Sequence, residues 1–360
     1  VTGPGEETSV AGEAGRAQEA MAAEEAALVS GGGLTDGPGL AREVGGAGRR
    51  RLRRILIDVA GGVIVLWGAA TLTFVAVHLM PGSPAVAYAG GVASHPSRSV
   101  LDAIIREYGL NKPVFVQYLV YLGRLLHGNL GYSVSQEMPV TRALALNVGP
   151  TAELTLGSLV LSWILAVIWT LLTVRRGRVI SAIGSGIEVL TASLPQYWLG
   201  IILLEVFAFH TGLFPATGGS GLQGLVLPSL TLAIPIAGFL GQITREEFES
   251  ALEQPYVTSA RARGMGDWGV RLRHALRHAI LPGVTLSGWA LGALISGAVI
   301  VESLFSRNGL GNTLLTGVTQ QDMPLTIGCV LIVAVVYVLA TILVDILYQA
   351  VDPRLRSAGQ

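Results

Sequence analysis

The sequence predicts an all-α polytopic membrane protein with six transmembrane helices and an extracytoplasmic segment after the first. Three observations carry this. Hydrophobic residues make up 51% of the 360 and charged residues only 13%, about half the charged share of ordinary soluble domains. Mean hydropathy is +0.58. Six stretches, roughly 55–80, 151–174, 179–209, 225–243, 282–305 and 324–351, are long enough to cross a hydrocarbon core as helices, which takes about 20 apolar residues each.

Before the first of these, residues 1–48 hold eight acids and two arginines with no periodic apolar face. Such a segment buries too little surface to offset its ordering entropy, so residues 1–54 read as a disordered cytoplasmic tail. It ends in RRRLRR (Arg49 to Arg54). The apolar stretch that follows far exceeds the ~7–15 residues of a signal-peptide core, which favours an uncleaved span over a signal despite the A-x-A pattern at Ala85–Ala87.

Basic residues set the orientation. With the amino terminus inside, the inner segments hold RRRLRR, Arg175-Arg176-Gly177-Arg178, the basic stretch 258–282 and Arg354-Leu355-Arg356, whereas the two short outer loops share Arg307. The bias holds at every crossing and places both termini in the cytoplasm. Residues 81–149, the outer segment, are too long for a plain loop. SVLDAIIREYGL and PVFVQYLVYLGRLLHGN carry apolar residues at helical spacing, predicting two short amphipathic helices, with LGYSVSQEMPV as a turn-rich return.

Several spans contain helix breakers: Pro195, Pro228 and Pro235, and glycines 288, 292 and 297. Close helix packing through a small-xxx-small face is the favoured reading of Gly288 and Gly292. Kinked helices lining a moving path are the alternative. Glu188, Glu205, Glu302 and Asp345 fall within apolar runs, where ionisable groups are costly and count as functional suspects. Their places near span ends argue against a proton relay.

Composition also excludes chemistry. The single cysteine, Cys329, rules out a disulfide framework or cysteine-built zinc site within one chain. No G-K-[ST] occurs in these residues, so they hold no P-loop and no Walker-type ATPase. G-x-S-x-G, H-E-x-x-H and paired intramembrane aspartates are absent as well, so no enzymatic reaction is supported.

The informative exception is residues 258–282, TSARARGMGDWGVRLRHALRHAILP, with five arginines, two histidines and one acid, Asp267. Leu272, Ala275, Leu276, Ala279 and Ile280 form the apolar face of a predicted helix, and Arg271, Arg273, His274, Arg277 and His278 its polar arc. Upstream, Gly264, Gly266 and Gly269 make an elbow. Pro282 is expected to open the next span, where its missing N–H costs nothing. A lipid-surface helix is one reading. His274 and His278 lack a third ligand for a metal, and no aromatic residues interleave for nucleic acid. Three placed glycines and a stiff proline junction suit a docking element that transmits movement, because glycine admits close backbone approach.

Here the chain resembles a known family. TSARARG, the arginine-rich helix and ILP look like the EAA motif, the coupling loop of ABC-importer permeases. Ala260 and Gly264 fall on its alanine and glycine, and Leu281-Pro282 on its closing pair. Thr258 in place of glutamate, and the longer Gly264–Pro282 stretch, are features of the B-type permeases of dipeptide and oligopeptide importers. MPGSP, REYGLNKPVFVQY, LLHGNLGYSVSQEMPV, LPSLTLAI, RNGLGNTLL and LVDILYQAVDPRLR extend the resemblance from about Ile55 to Arg356. Asn129 and Ser83 stand where aspartates are more usual.

The resemblance implies a type I ABC importer permease fold, with the first helix and extracytoplasmic segment in 55–149, a permease core in 150–356 and a coupling helix at about 256–282. It implies a multi-pass subunit of the bacterial cytoplasmic membrane that imports peptides by alternating access. A second permease subunit, two ATPase subunits carrying ATP and Mg, and an extracytoplasmic solute-binding protein would be its partners, with no cofactor in this chain. Gly264, Met265, Gly266, Asp267 and Arg273 are the expected ATPase-coupling residues, with Ala260, Leu281 and Pro282 completing the motif. Gln196, Tyr197 and Ser296 could offer hydrogen bonds along the substrate path. Nickel complexes or another small solute are alternative cargoes. A stand-alone secondary transporter is a further alternative, but it would need buried charge partners and commonly two related halves, neither of which the sequence displays.

Overall fold

The computed structural model describes the backbone of residues 39–79, 82–91, 94–217 and 221–351, and side chains for most of these from 57 to 344. The leading arginines of RRRLRR and Asp345 lie outside the described side chains, and residues 1–38 outside the described residues. From Gly39 onward the backbone is helical, so the part of the expected tail from 39 to 54 runs directly into the first span as α1 (Gly39–Leu79). The chain divides into two compact units at Val59–Ala60; α1 begins in the first, and the second holds every other element described below.

Among the described residues, five helices are long and apolar enough to cross a membrane: Val59–Leu79 of α1, α5 (Val140–Thr173), α8 (Gln223–Glu253), Asp267–Leu304, and Met323–Val344 within α13 (Met323–Val351). The expected span at 179–209 is broken instead. α6 (Arg178–Ser193) and α7 (Gln196–Leu203, continued by a π-helical turn to His210) meet at 103° across Leu194-Pro195. Proline disfavours helical geometry at the residue before it, and Leu194 is extended, φ −69° and ψ 128°. Pro228, Pro235 and Pro282 behave differently and lie inside continuous helices. Neighbouring helices can re-satisfy the freed carbonyls of membrane helices.

Between α1 and α5 the sequence forms the two expected amphipathic helices, α3 (Arg98–Tyr108) and α4 (Val114–Leu126), preceded by the one-turn α2 (Pro84–Tyr88). Gly109 ends α3 in the left-handed conformation, φ 65°. The predicted return is a minimal hairpin of β1 (Tyr132–Ser133) and β2 (Met138–Pro139), with Tyr132 opposite Pro139. His78 of α1 hydrogen-bonds Gln117 of α4 at 2.9 Å, and Thr71 pairs with Tyr118 at 2.7 Å, fastening this segment to the first span.

α8 is the hub, packed along α5, α6 and α11 (Leu276–Leu304). Of its most apolar window 67% is buried, against 17% for the α1 span and 22% for α13, so α8 is core and those two are peripheral. Leu154, Leu227, Leu232, Leu240, Leu294 and Val301 fill the centre. The small-residue reading of α11 holds. A Cβ on Gly292 would come within 2.6 Å of the Tyr337 ring on α13, and Gly288 lies against Val344.

Two buried carboxylates fasten the hairpin end. Glu302, fully buried, accepts N–H bonds from Gly311 (2.7 Å) and Asn312 (3.1 Å) at the start of α12 (Leu310–Thr319), and a 2.5 Å bond from the Thr151 hydroxyl. It caps α12, where a carboxylate also complements the helix dipole. Asp322, equally buried, accepts from the Ser133 hydroxyl and from the hydroxyl and N–H of Ser135, while its second oxygen caps α13 at Leu325.

Glu302→Leu leaves two N–H groups and a hydroxyl without their acceptor, at about 1–3 kcal/mol per group. It is expected to lower the thermal unfolding midpoint in detergent markedly. Glu153→Ala, which removes the half-exposed partner of Arg307, should cost less than about 1 kcal/mol.

Candidate functional site

The arginine-rich stretch folds as α9 (Pro255–Ala262), a turn at 263–266, α10 (Asp267–Val270), a π-helical turn at Arg271–Ala275, and then α11. Gly264 holds φ +84°, a left-handed conformation that disfavours any side chain. The glycine elbow predicted from sequence is therefore real at this position.

Downstream the predicted face is rotated. Ala275 and Ala279 are buried as expected, but Leu272 is exposed and Arg271 is 3% exposed. The π turn explains this, since one extra residue per turn shifts register by about 100°. Pro282 is not at a helix start either. It lies six residues inside α11, and Asp267–Leu304 runs as one apolar helical span. The carbonyl that Pro282 leaves without its helical donor belongs to His278, which is exposed. Leu281 is half-buried beside it.

Arg271 is the main anchor that sequence reading placed on the wrong face. It donates to the carbonyls of Leu171 (3.3 Å) and Val174 (2.9 Å) at the end of α5, and to Asp267 at 2.9 Å. Cations at a helix C-terminus satisfy orphan carbonyls and complement the dipole. A spacing of four from Asp267 was the available signal.

Asp267 gathers further arginines: Arg176 at 3.2 Å and Arg261 at 3.7 Å. Arg176 also stacks on Trp268, 4.6 Å from the ring centre, and its Nη2 has no hydrogen-bond partner among the described residues. Asp267 is thus an internal staple between α9, α10 and the α5–α6 turn, still 43% exposed. Ala260 is fully buried and packs with Val257, Val270 and Phe248. Gly264, Gly266 and Arg273 are exposed, and Met265 is half-buried. Arg263, Arg273 and Arg277 give the exposed face its charge, with His278 exposed beside them. Tyr256 packs beside His274 and His278, and burial raises its phenol above the ordinary value.

A second polar centre joins α6 to α8. Glu188, 2% exposed, takes a two-pronged bond from Arg245 on α8, with Nε–Oε2 at 2.6 Å and Nη2–Oε1 at 2.9 Å. Sequence reading found no buried charge partner; one exists, 57 residues away in the chain. Among the suspects of the candidate path, Gln196 sits against Gly297, whose missing Cβ leaves room for the carboxamide. Ser296 is exposed beside it and Tyr197 is 54% exposed. Glu205 is exposed. Two clefts of about 630 and 450 Å³ open elsewhere, and none of these residues lines them. Among the described residues, no three His, Cys, Asp or Glu side chains are grouped to hold a metal ion.

Residues 158–357 match the model described as "Binding-protein-dependent transport system inner membrane component", and residues 51–145 match its N-terminal counterpart. The chain belongs to this family. It is a non-catalytic, multi-pass permease subunit of an ABC importer, and the family implies a multi-subunit complex. The "Glutathione transport system permease protein GsiC" of Salmonella choleraesuis (strain SC-B67) is 33% identical over 306 residues, covering 85% of this chain and 99% of the relative. Its counterpart in Escherichia coli (strain K12) is 32% identical over 312 residues with the same coverage. A solved structure titled "Crystal structure of an amino acid ABC transporter with histidines" is 16% identical with a TM-score of 0.44, over 59% of this chain and 94% of that one.

Arg271 and Arg273 of the permease should separate in a stability measurement. Arg271→Met removes buried charge-assisted bonds worth about 1.5–3 kcal/mol each and is expected to lower the unfolding midpoint in detergent. Arg273→Met, on the exposed face, should stay within about 0.5 kcal/mol of the parent.

Proposed function

We propose that this permease forms half of a peptide-translocating pore, and that residues 255–282 seat it on a cytosolic ATPase. One observation carries the reading. An exposed cationic turn, shaped by glycine, is fixed at its far side, through Arg271, to the end of α5 and continues without interruption into a membrane span. Force applied to Gly264–Gly266 therefore reaches two spans directly.

The docking surface comprises Gly264, Met265, Gly266 and the exposed Arg273. Asp267 and Ala260 hold its shape, and Leu281 and Pro282 lie within the rod that carries movement onward. The exposed arginines favour an acidic rim on the ATPase. With the arginine-rich ends of the spans in the cytoplasm, the hairpin end with α2–α4 faces outward, toward a solute-binding protein.

A second permease of like design, two ATPase subunits carrying ATP and Mg, and that binding protein complete the assembly. ATP-driven closure would switch the pore between outward and inward access. Similarity to permeases named for glutathione, a tripeptide, supports a small peptide as cargo. Gln196 and Ser296 supply neutral hydrogen-bonding groups suited to a peptide backbone, with Tyr197 beside them.

Single cysteines at Arg263 or Gly266, treated with a short bifunctional thiol reagent in intact membranes, should capture the ATPase subunit. A cysteine at the exposed Tyr132, on the hairpin end, should not. Capture from Tyr132 alone would reverse the orientation, and no capture from either turn position would remove the docking assignment.

A further inference from the structure

The buried pair Glu188–Arg245 is not part of the docking turn, yet it is built with unusual closeness. Beyond Glu188, Arg245 donates through Nη2 to the Thr173 hydroxyl at 2.5 Å and through Nη1 to Ser181 at 3.5 Å. Three glycines make room for this. A Cβ on Gly184 would lie 2.5 Å from the Thr173 Cβ and 2.7 Å from the Arg245 Nη2. Gly238 and Gly241 let α8 approach Glu188 itself, and Gln242 donates to the Glu188 carbonyl at 3.3 Å.

Such a pair is weak evidence for stability, because desolvating two charges can exceed their attraction, and apolar replacements of similar volume are often neutral. Its position offers another reason to hold it. The last turn of α5 is gripped from two sides. Arg271, from the docking segment, takes the carbonyls of Leu171 and Val174, and Arg245 takes the hydroxyl of Thr173 between them. Arg245 then hands this turn to Glu188 on α6, whose far end bends at Pro195 to present Gln196 against Gly297.

We propose that Arg245 is a positioning residue of the transport cycle. It joins the α5 turn held by the docking segment to α6, so that displacement of that segment is delivered to the broken helix and to Gln196. The inference rests on the ATP-driven transport reading above, and it specifies which contact inside the membrane carries the stroke. Coupling of this kind is established by energetics rather than by adjacency. Thr173→Val is the least invasive probe, because apart from the hydroxyl's own bond to the Trp169 carbonyl within α5 it removes the link between α5 and Arg245 and leaves the ion pair in place.

The test uses the complete importer in proteoliposomes, with uptake of a labelled small peptide and ATP hydrolysis measured on the same vesicles. Thr173→Val is expected to keep hydrolysis within about two-fold while peptide imported per ATP falls about ten-fold, inside the ~5–150-fold range of coupling between sites. Thr173→Ser, which keeps the hydroxyl, should restore the parental ratio. Adding Glu188→Gln to Thr173→Val should cost little more than the worse single change, as expected of residues acting in one network. A parental ratio in Thr173→Val, or a fall in uptake and hydrolysis together, would overturn the proposal. Absence of ATP-driven uptake by the parental complex would overturn the transport reading itself, a separate outcome.

Discussion

A carboxylate removed from water must find donors, and here those donors come from other elements of the fold. Glu188, Glu302 and Asp322 are each 2% exposed or less, and each joins elements far apart in the chain. Glu302 joins α5 and α11 to α12; Asp322 joins the hairpin to α13; Glu188 joins α6 to α8. The apolar core holds the helices together but distinguishes poorly between neighbouring registers, since one leucine face resembles another. The carboxylates do distinguish, because a slip of one residue strands a charge. They fix where each helix stops along its neighbour, and the glycines beside them admit the approach this needs.

This division explains what was legible in the sequence. Spans are a matter of length and apolarity, and five of the six expected segments are single helices. The amphipathic α3 and α4 announce themselves by period, and the elbow by Gly264. The break at Pro195 was visible as a proline but not as a 103° bend, because Pro228, Pro235 and Pro282 are prolines too and lie inside continuous helices. What decides between the two outcomes is packing, which no local pattern contains. Arg271 was misplaced for a related reason. A 3.6-residue period assumes uniform helix, and the π turn at 271–275 breaks that assumption at the residue that mattered most. Arg245 could not be paired with Glu188 from sequence, since nothing in 57 residues of separation marks them as neighbours.

The form of the docking segment limits how it can move. Arg261 lies before the Gly264 turn and Arg271 after it, and both reach Asp267. The turn is therefore bracketed by ion pairs, and its glycines set a shape rather than leaving a loose joint. Beyond it, Asp267–Leu304 is a single helix with Pro282 inside it. In the proposed mechanism a partner that pushes on the turn moves α9, the turn and this rod together, and the end of α5 with them through Arg271. Bending would have to occur where the backbone is already extended, at Leu194-Pro195, beyond the last tie between α6 and α8. A stiff segment on one side and a pre-broken helix on the other form a lever. The stroke would then appear as a change in the α6–α7 angle, beside Gln196, and would not be absorbed along the way.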